Sequence, residues 1–258
     1  MKITTSLYVL SLLLTVAGIT GCASSQPKMT LDQVLSQYTQ ISMLNNDLKE
    51  ARDNGSQYLA PESYSSAKQS LESAMNAAYN NEAEEAKEAA AAGLQTVARM
   101  KDVTASSRKI LREVLQARER GMAAQVDSLQ GEKLAELDSE LKETAALVEE
   151  GDAETAKERR PELLEGYTRL ELVALKQDTA EQAKSAIANA KRQGAKKYAP
   201  KTLAEAEGEL ALAVSILDAD RTQKDKADVQ ANNAKWLANR SAAITETIKD
   251  FDRRDYTM

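Results

Sequence analysis

The chain has 258 residues, a net charge of −6, no histidine and a single cysteine. The missing histidine excludes Ser-His-Asp and Cys-His relays and imidazole metal ligands, and one cysteine excludes an internal disulfide and a cysteine-cluster zinc site. The acidic balance argues against a nucleic-acid partner, and much of the apolar content is alanine, 43 residues in all, which buries little area per side chain.

Met1-Lys2 is a short positive start, and residues 7–19 form an apolar run too short to span a bilayer as a permanent helix. The run fits the hydrophobic region of a secretory signal peptide. It ends at Ile19-Thr20-Gly21-Cys22, which resembles the bacterial lipobox. That resemblance implies cleavage before Cys22, covalent diacylglycerol and N-acyl chains on its thiol and amine, and stable membrane anchoring. The plain alternative is an ordinary signal peptide with a cysteine by its cleavage site. Ala23 follows the cysteine; by resemblance to lipoprotein sorting rules, the absence of Asp there implies the outer membrane, with the body in the periplasm. Residues 23–28 read as a short flexible tether.

From Met29 onward no sustained period-2 alternation marks a strand. Ala, Glu, Lys, Leu, Gln and Arg dominate, and all favour helices. Sparse glycines and prolines punctuate them. The expected fold is all-α: an elongated antiparallel helical bundle of long helices and two related helical hairpins. The organisation reads as a signal peptide at 1–21, lipidated Cys22 and tether at 22–29, a first helical repeat region at 30–120, central connecting helices at 121–183 and a second repeat region at 184–258.

The repeat rests on one constant, gap-free offset between the two halves of the chain. Ala51, Gly55, Ala60, Pro61, Ala67, Leu71 and Ala74 fall on Ala190, Gly194, Ala199, Pro200, Ala206, Leu210 and Ala213. A glycine and a proline recurring in register, in a chain poor in both, argue for duplication. Each glycine closes a helix in the left-handed conformation, five residues connect, and proline opens the next helix at its first turn. Those second helices are expected over 61–79 and 200–218. A further helix then starts near Glu82 in the first copy and near Arg221 in the second, with Asp220 as a possible N-cap. A seam with a 3.5-like rhythm predicts a helix over 82–120, about 58 Å long. A second seam runs through Leu134, Leu137, Leu141, Ala145 and Val148. Asp152 is a candidate cap for the next helix, which Pro161 kinks or restarts and which carries the seam on through Leu163, Tyr167, Leu170 and Ala174.

The stretch from Gly194 through Tyr198-Ala199-Pro200 to Ala206 resembles a helical domain of unknown function found in bacterial envelope lipoproteins. That domain is often placed upstream of an OmpA-like peptidoglycan-binding module. Its hallmark is Gly-Ala-x-x-Tyr-Ala-Pro followed by Leu and Ala at helical spacing. The first copy departs from it, with Tyr58 one position early and Tyr64 in place of the leucine. The OmpA-like module is absent from this sequence, and its usual motif needs a histidine, so peptidoglycan anchoring is not carried over.

Paired carboxylates at Glu84-Glu85, Glu149-Glu150 and Asp218 with Asp220 could in principle serve glycoside hydrolysis, but solvated faces and turn chemistry are the plainer reading. The cations Lys191, Arg192, Lys196, Lys197 and Lys201 could meet anionic lipid or polymer; offsetting a helix C-terminus is the plainer reading. Trp236 and Tyr198 could form an exposed contact surface, though core or edge packing is the commoner role of such residues. The expected function is a non-catalytic structural or interaction lipoprotein of the cell envelope, with the membrane and an unnamed envelope protein as partners and no metal or diffusible cofactor. The alternative is an accessory lipoprotein that binds lipid or a transport partner between its helices.

Overall fold

The structure is a computed structural model that describes residues 28–254. Ile19, Thr20, Gly21 and Cys22 lie outside the described residues. The described residues form helices without a strand. In the first unit α1 (Leu31–Gln37) and α2 (Thr39–Asp53) run outward, the one-turn helix α3 (Ser56–Leu59) reverses the chain, α4 (Pro61–Tyr79) returns, and α5 (Ala83–Ile110) runs outward again. The second unit repeats this with α6 (Arg112–Ala123), α7 (Val126–Leu129), α8 (Gly131–Glu149) and the first half of α9 (Ala153–Gln193). The third uses the second half of α9, then α10 (Ala195–Tyr198), α11 (Pro200–Ala219) and α12 (Lys224–Arg253). In the first and third units the returning helix packs on both neighbours, α4 on α2 and α5 and α11 on α9 and α12, whereas in the second α8 packs on α9. The result is an all-α array of three-helix bundles in series. Among the described residues no helix is long and apolar enough to cross a membrane.

The reversal has the same backbone each time. A left-handed residue comes first: Gly55 (φ 76°), Gln125 (φ 60°) or Gly194 (φ 99°). A four-residue helix follows, then a residue that is neither helical nor extended, Ala60, Gln130 or Ala199, with φ of −147°, −143° or −139°. The next helix opens on Pro61, Gly131 or Pro200. Proline suits that place because its missing N–H has no helical partner there. The interval from Gly55 to Gly194 is therefore two nearly equal steps with Gln125 midway, and this middle turn lies inside the stretch expected to hold connecting helices. A sequence trace of the single step exists at the second hairpin: Ala83-Glu84-Glu85-Ala86-Lys87-Glu88 recurs as Ala153-Glu154-Thr155-Ala156-Lys157-Glu158. Even the local ion pairs repeat, Lys87 to Glu84 at 2.8 Å and Lys157 to Glu154 at 2.7 Å.

Helix ends follow from local chemistry. Thr30 and Gln33 form a capping box at α1, the Thr30 N–H donating to Gln33 Oε1 (2.8 Å). Asp152 accepts from the Thr155 N–H (3.1 Å) and caps α9 as the sequence suggests. Asp220 differs from expectation. It ends α11 and folds its carboxylate onto Thr222 and Gln223, so α12 starts later, at Lys224. The helix expected over 82–120 is divided at Leu111, whose buried side chain sits in the core of the second unit. Conversely, α9 runs 41 residues, about 60 Å, without a break at Pro161. Pro161 and Lys157 lie on the exposed side, where water can take the carbonyl that the ring leaves without a donor. The burial of Leu163, Tyr167 and Leu170 just beyond holds the helix together.

The core is split into separate clusters along the array rather than gathered in one mass. Val34, Ile41, Ala74, Ala78, Ala86 and Ala90 close the outer end of the first unit, and Leu111, Val114, Leu141, Leu163 and Tyr167 fill the second. Small alanine knobs let the helix axes approach closely, so modest area per residue still excludes water. α1 packs on α2 and α4 and closes the first end of the array, as a polar-faced terminal element must in a serial fold.

Candidate functional site

The repeat motifs sit at the ends of the bundles, where the chain reverses. Ala60 and Ala199 are buried there. Gly55 lies at the first joint and Gly194 at the far end of the third unit, so the fold does not bring the two motifs together. Tyr198 is half-buried beneath the ammonium groups of Lys197 (4.7 Å from the ring centroid) and Lys249 (5.6 Å).

At the first joint α3, α6, α8 and α9 converge on a buried polar network. Arg118 Nε and Nη2 donate to Asp138 Oδ1 (2.7 Å) and Oδ2 (2.8 Å), and the Tyr167 hydroxyl donates to Oδ1 (2.7 Å). The hydrogen bond to Asp138 raises the Arg118 pKa. Burial, then the Asp138 bond, pushes the Tyr167 phenol far up. The Arg118 guanidinium also covers the Tyr58 ring at 4.6 Å, with Lys142 at 5.2 Å. A bidentate arginine pair of this kind fixes geometry as much as energy. It ties the end of the first unit to three helices of the second.

The second joint is polar in another way. The buried carboxylate of Glu171 lies between Arg221 (3.1 Å) and Arg120 (3.4 Å). Gln130 Nε2 donates to Gln177 Oε1 (3.0 Å), and Thr179 donates to Asp228 (2.6 Å). Burial alone would raise the Asp228 pKa, but the bonds from Lys224 and Thr179 outweigh it and hold the carboxyl low.

The carboxylate pairs seen in the sequence have structural occupations. Glu84 meets Lys87, Asp218 meets Lys176, and Glu149 caps α4. Among the described residues no cluster of three or more His, Cys, Asp or Glu could hold a metal ion. Of the basic cluster, Lys191 pairs with Glu207 (2.6 Å), while Arg192, Lys196 and Lys201 form no ion pair among the described residues. Trp236 is the correction to the packing expectation: 59% of it is exposed, on the outer face of α12, with Arg240 5.3 Å from its ring. A helical period places it outward, one residue before the half-buried Leu237 and two before the buried Ala238.

Sequence reasoning did not find the arginine-lined groove at the first joint. It spans about 540 Å³ and collects Arg52 from α2, Arg108 from α5, and Arg112 and Arg118 from α6. The Arg108 guanidinium donates to the carbonyl of Asn54, the residue before Gly55. At the far end Lys249 donates to the carbonyl of Gln193, the residue before Gly194. A cation from the unit's third helix thus closes the last turn of its first helix in both places. In the middle unit the position that matches Arg108 is Asp178, which accepts from Lys224 instead.

No family model matches the chain, and no curated protein or solved structure is similar to it. The arrangement is chemically suited to recognition: guanidinium groups fixed on rigid helices, open grooves at the joints, and an indole presented to solvent.

Proposed function

We propose that this chain is a membrane-anchored lipoprotein of the bacterial cell envelope with a non-catalytic, structural or interaction role. The lipid on Cys22 fixes one end at the outer membrane, and the serial bundles hold binding surfaces at set distances in the periplasm. The observation that carries this reading is α9, an unbroken 41-residue helix shared by two bundles, because a shared helix makes a stiff spacer rather than a hinge. The lipobox-like Ile19-Thr20-Gly21-Cys22 supports the anchor. The grooves at the joints are lined mainly by charged and amide side chains, with Leu59, Leu115 and Leu141 among them at the first joint and Leu175 at the second, and the many charges favour a scaffold over a carrier of acyl chains between the helices.

The test is metabolic labelling with palmitate together with cell fractionation. The wild-type chain incorporates label and sediments with outer membranes, and Cys22→Ser loses both properties. A Cys22→Ser chain that is still labelled and still sediments overturns the anchor. Crosslinking in intact cells from a photoreactive residue at position 236 identifies the partner and separates a scaffold, which yields a protein adduct, from a carrier, which yields a lipid adduct.

A further inference from the structure

The groove at the first joint has features that helix capping does not use up. Its cations come from three helical segments, and only Arg108 and Arg118 are occupied, by the Asn54 carbonyl and by Asp138. Arg52 and Arg112 are exposed, line the same space and form no ion pair among the described residues. Asp53 and Glu119 also line the groove, yet neither carboxylate comes within ion-pairing distance of an arginine. Three guanidinium groups not paired with a carboxylate therefore face one cleft in a chain whose net charge is −6. The far-end groove is the natural comparison. There Arg253 is engaged by Asp250 (3.3 Å), and Glu246 and Asp252 share the lining with Lys249, so its cations already sit among carboxylates.

A second observation is independent of charge: the cleft has room for a small ligand. The volume, about 540 Å³, falls within the roughly 300–1,000 Å³ of small-ligand sites. Planar guanidinium forks match phosphate oxygens, and hydrogen bonds of that kind are about twice as strong as neutral ones.

We infer that the groove between the first and second bundles binds a phosphate ester. Arg52, Arg112 and the free face of Arg108 take the phosphate oxygens. Arg118, pinned by Asp138 and covering Tyr58, forms the fixed wall. Such an ester reaches the site either as a soluble compound or as a lipid headgroup. The inference stands apart from the lipid anchor and does not depend on it.

Isothermal titration calorimetry of the full chain in neutral detergent tests this with three probes: inorganic phosphate, glycerol 1-phosphate, and micelles containing phosphatidylglycerol. Saturable binding of glycerol 1-phosphate is the expected result. Arg52→Gln/Arg112→Gln weakens it about tenfold or more, whereas Arg253→Gln at the far end leaves it unchanged. Saturation by the phosphatidylglycerol micelles alone assigns the source to a lipid headgroup; saturation by glycerol 1-phosphate assigns it to a soluble ester, and both support the groove. No saturation by any probe overturns the inference. So does an equal loss in Arg253→Gln, or an unchanged affinity in Arg52→Gln/Arg112→Gln with the same circular dichroism as wild type.

Discussion

The carboxylate of Glu149, in the last turn of α8, accepts hydrogen bonds from both the N–H (3.0 Å) and the hydroxyl (2.6 Å) of Ser63, far earlier in the chain. It also accepts from the N–H of Glu62 (2.8 Å). These are first-turn donors of α4, whose own N-cap, Ala60, supplies no side-chain bond. A residue of the second bundle thus caps a helix of the first, and the positive end of the α4 dipole gains a negative charge. Glu149→Ala is expected to lower stability by about 1–2 kcal/mol. Its effect should appear as faster amide exchange at residues 62–64, with residues 201–203 in α11 unaffected.

The Arg118–Asp138–Tyr167 network makes a sharper prediction. Asp138→Ala leaves a mostly buried guanidinium without its counter-ion, at an expected cost of about 3–5 kcal/mol. Tyr167→Phe keeps the ion pair and loses one charge-assisted bond, about 1.5 kcal/mol. The paired replacement Arg118→Met/Asp138→Leu restores most of the loss, because it removes both buried charges together. Chemical denaturation of the four proteins ranks them. An Asp138→Ala loss no larger than that of Tyr167→Phe contradicts the network.

Gln125 adopts a left-handed conformation, φ 60°, at a position where the other two turns use glycine. Its side chain is exposed. Gln125→Gly is therefore expected to stabilise the chain by up to about 1 kcal/mol, the left-handed penalty less the added freedom of the unfolded state. Gly55→Ala acts in the opposite direction by a similar amount. Thermal melts of both variants give the signs.

The turn after α11 carries a pH signature. Hydrogen bonds from the Thr222 hydroxyl, the Gln223 amide and the Thr222 N–H hold the Asp220 carboxyl at about 2, below the ordinary 3.8. A carboxyl depressed in the folded state lends stability that is complete above its ordinary pKa and is lost as the pH falls through its folded one. The turn's contribution should therefore fall progressively from about pH 4 to about pH 2. A carbon-detected NMR titration of Asp220 measures this, and Thr222→Val should move its midpoint upward. A midpoint already at the ordinary value in wild type removes the bonds.

Trp236 is the single tryptophan and is mostly exposed. Its emission should be water-like in the native protein, and iodide should quench it nearly as well as in denaturant. Strong protection from iodide under native conditions would mean that the outer face of α12 is covered.

Helix ends are legible in this sequence wherever a residue's own backbone preference decides the matter. Gly55, Gly194, Pro61, Pro200 and Asp152 announce themselves, because each acts within one turn of its position. The seam residues Leu141, Leu163 and Tyr167 are legible for a similar reason, since periodicity requires only a neighbour of some kind. The middle turn is hidden because Gln125 and Gly131 replace the glycine and proline that mark its relatives, and tertiary packing overrides local preference. Leu111 and Pro161 mislead in opposite directions: a leucine ends a helix because the core claims it, and a proline continues one because its face is wet. Glu149, Arg118 and Asp138 are illegible as partners, since nothing in a one-dimensional pattern distinguishes a carboxylate that reaches another bundle from one in water. The arginine groove belongs to the same class, as its cations are scattered along the chain from Arg52 to Arg118.

The uninterrupted passage of α9 through two bundles sets an angular registry as well as a length. Each residue of an α-helix turns the chain by about 100° and advances it by about 1.5 Å. One residue inserted between Lys176 and Thr179 would swing the third bundle, Trp236 included, about a quarter-turn around the rod with almost no change in reach. Seven inserted residues would lengthen the rod by about 10 Å and return the indole to within about 20° of its original heading. Bearing and distance can therefore be varied separately along this one helix, and whatever docks at the far bundle reads both.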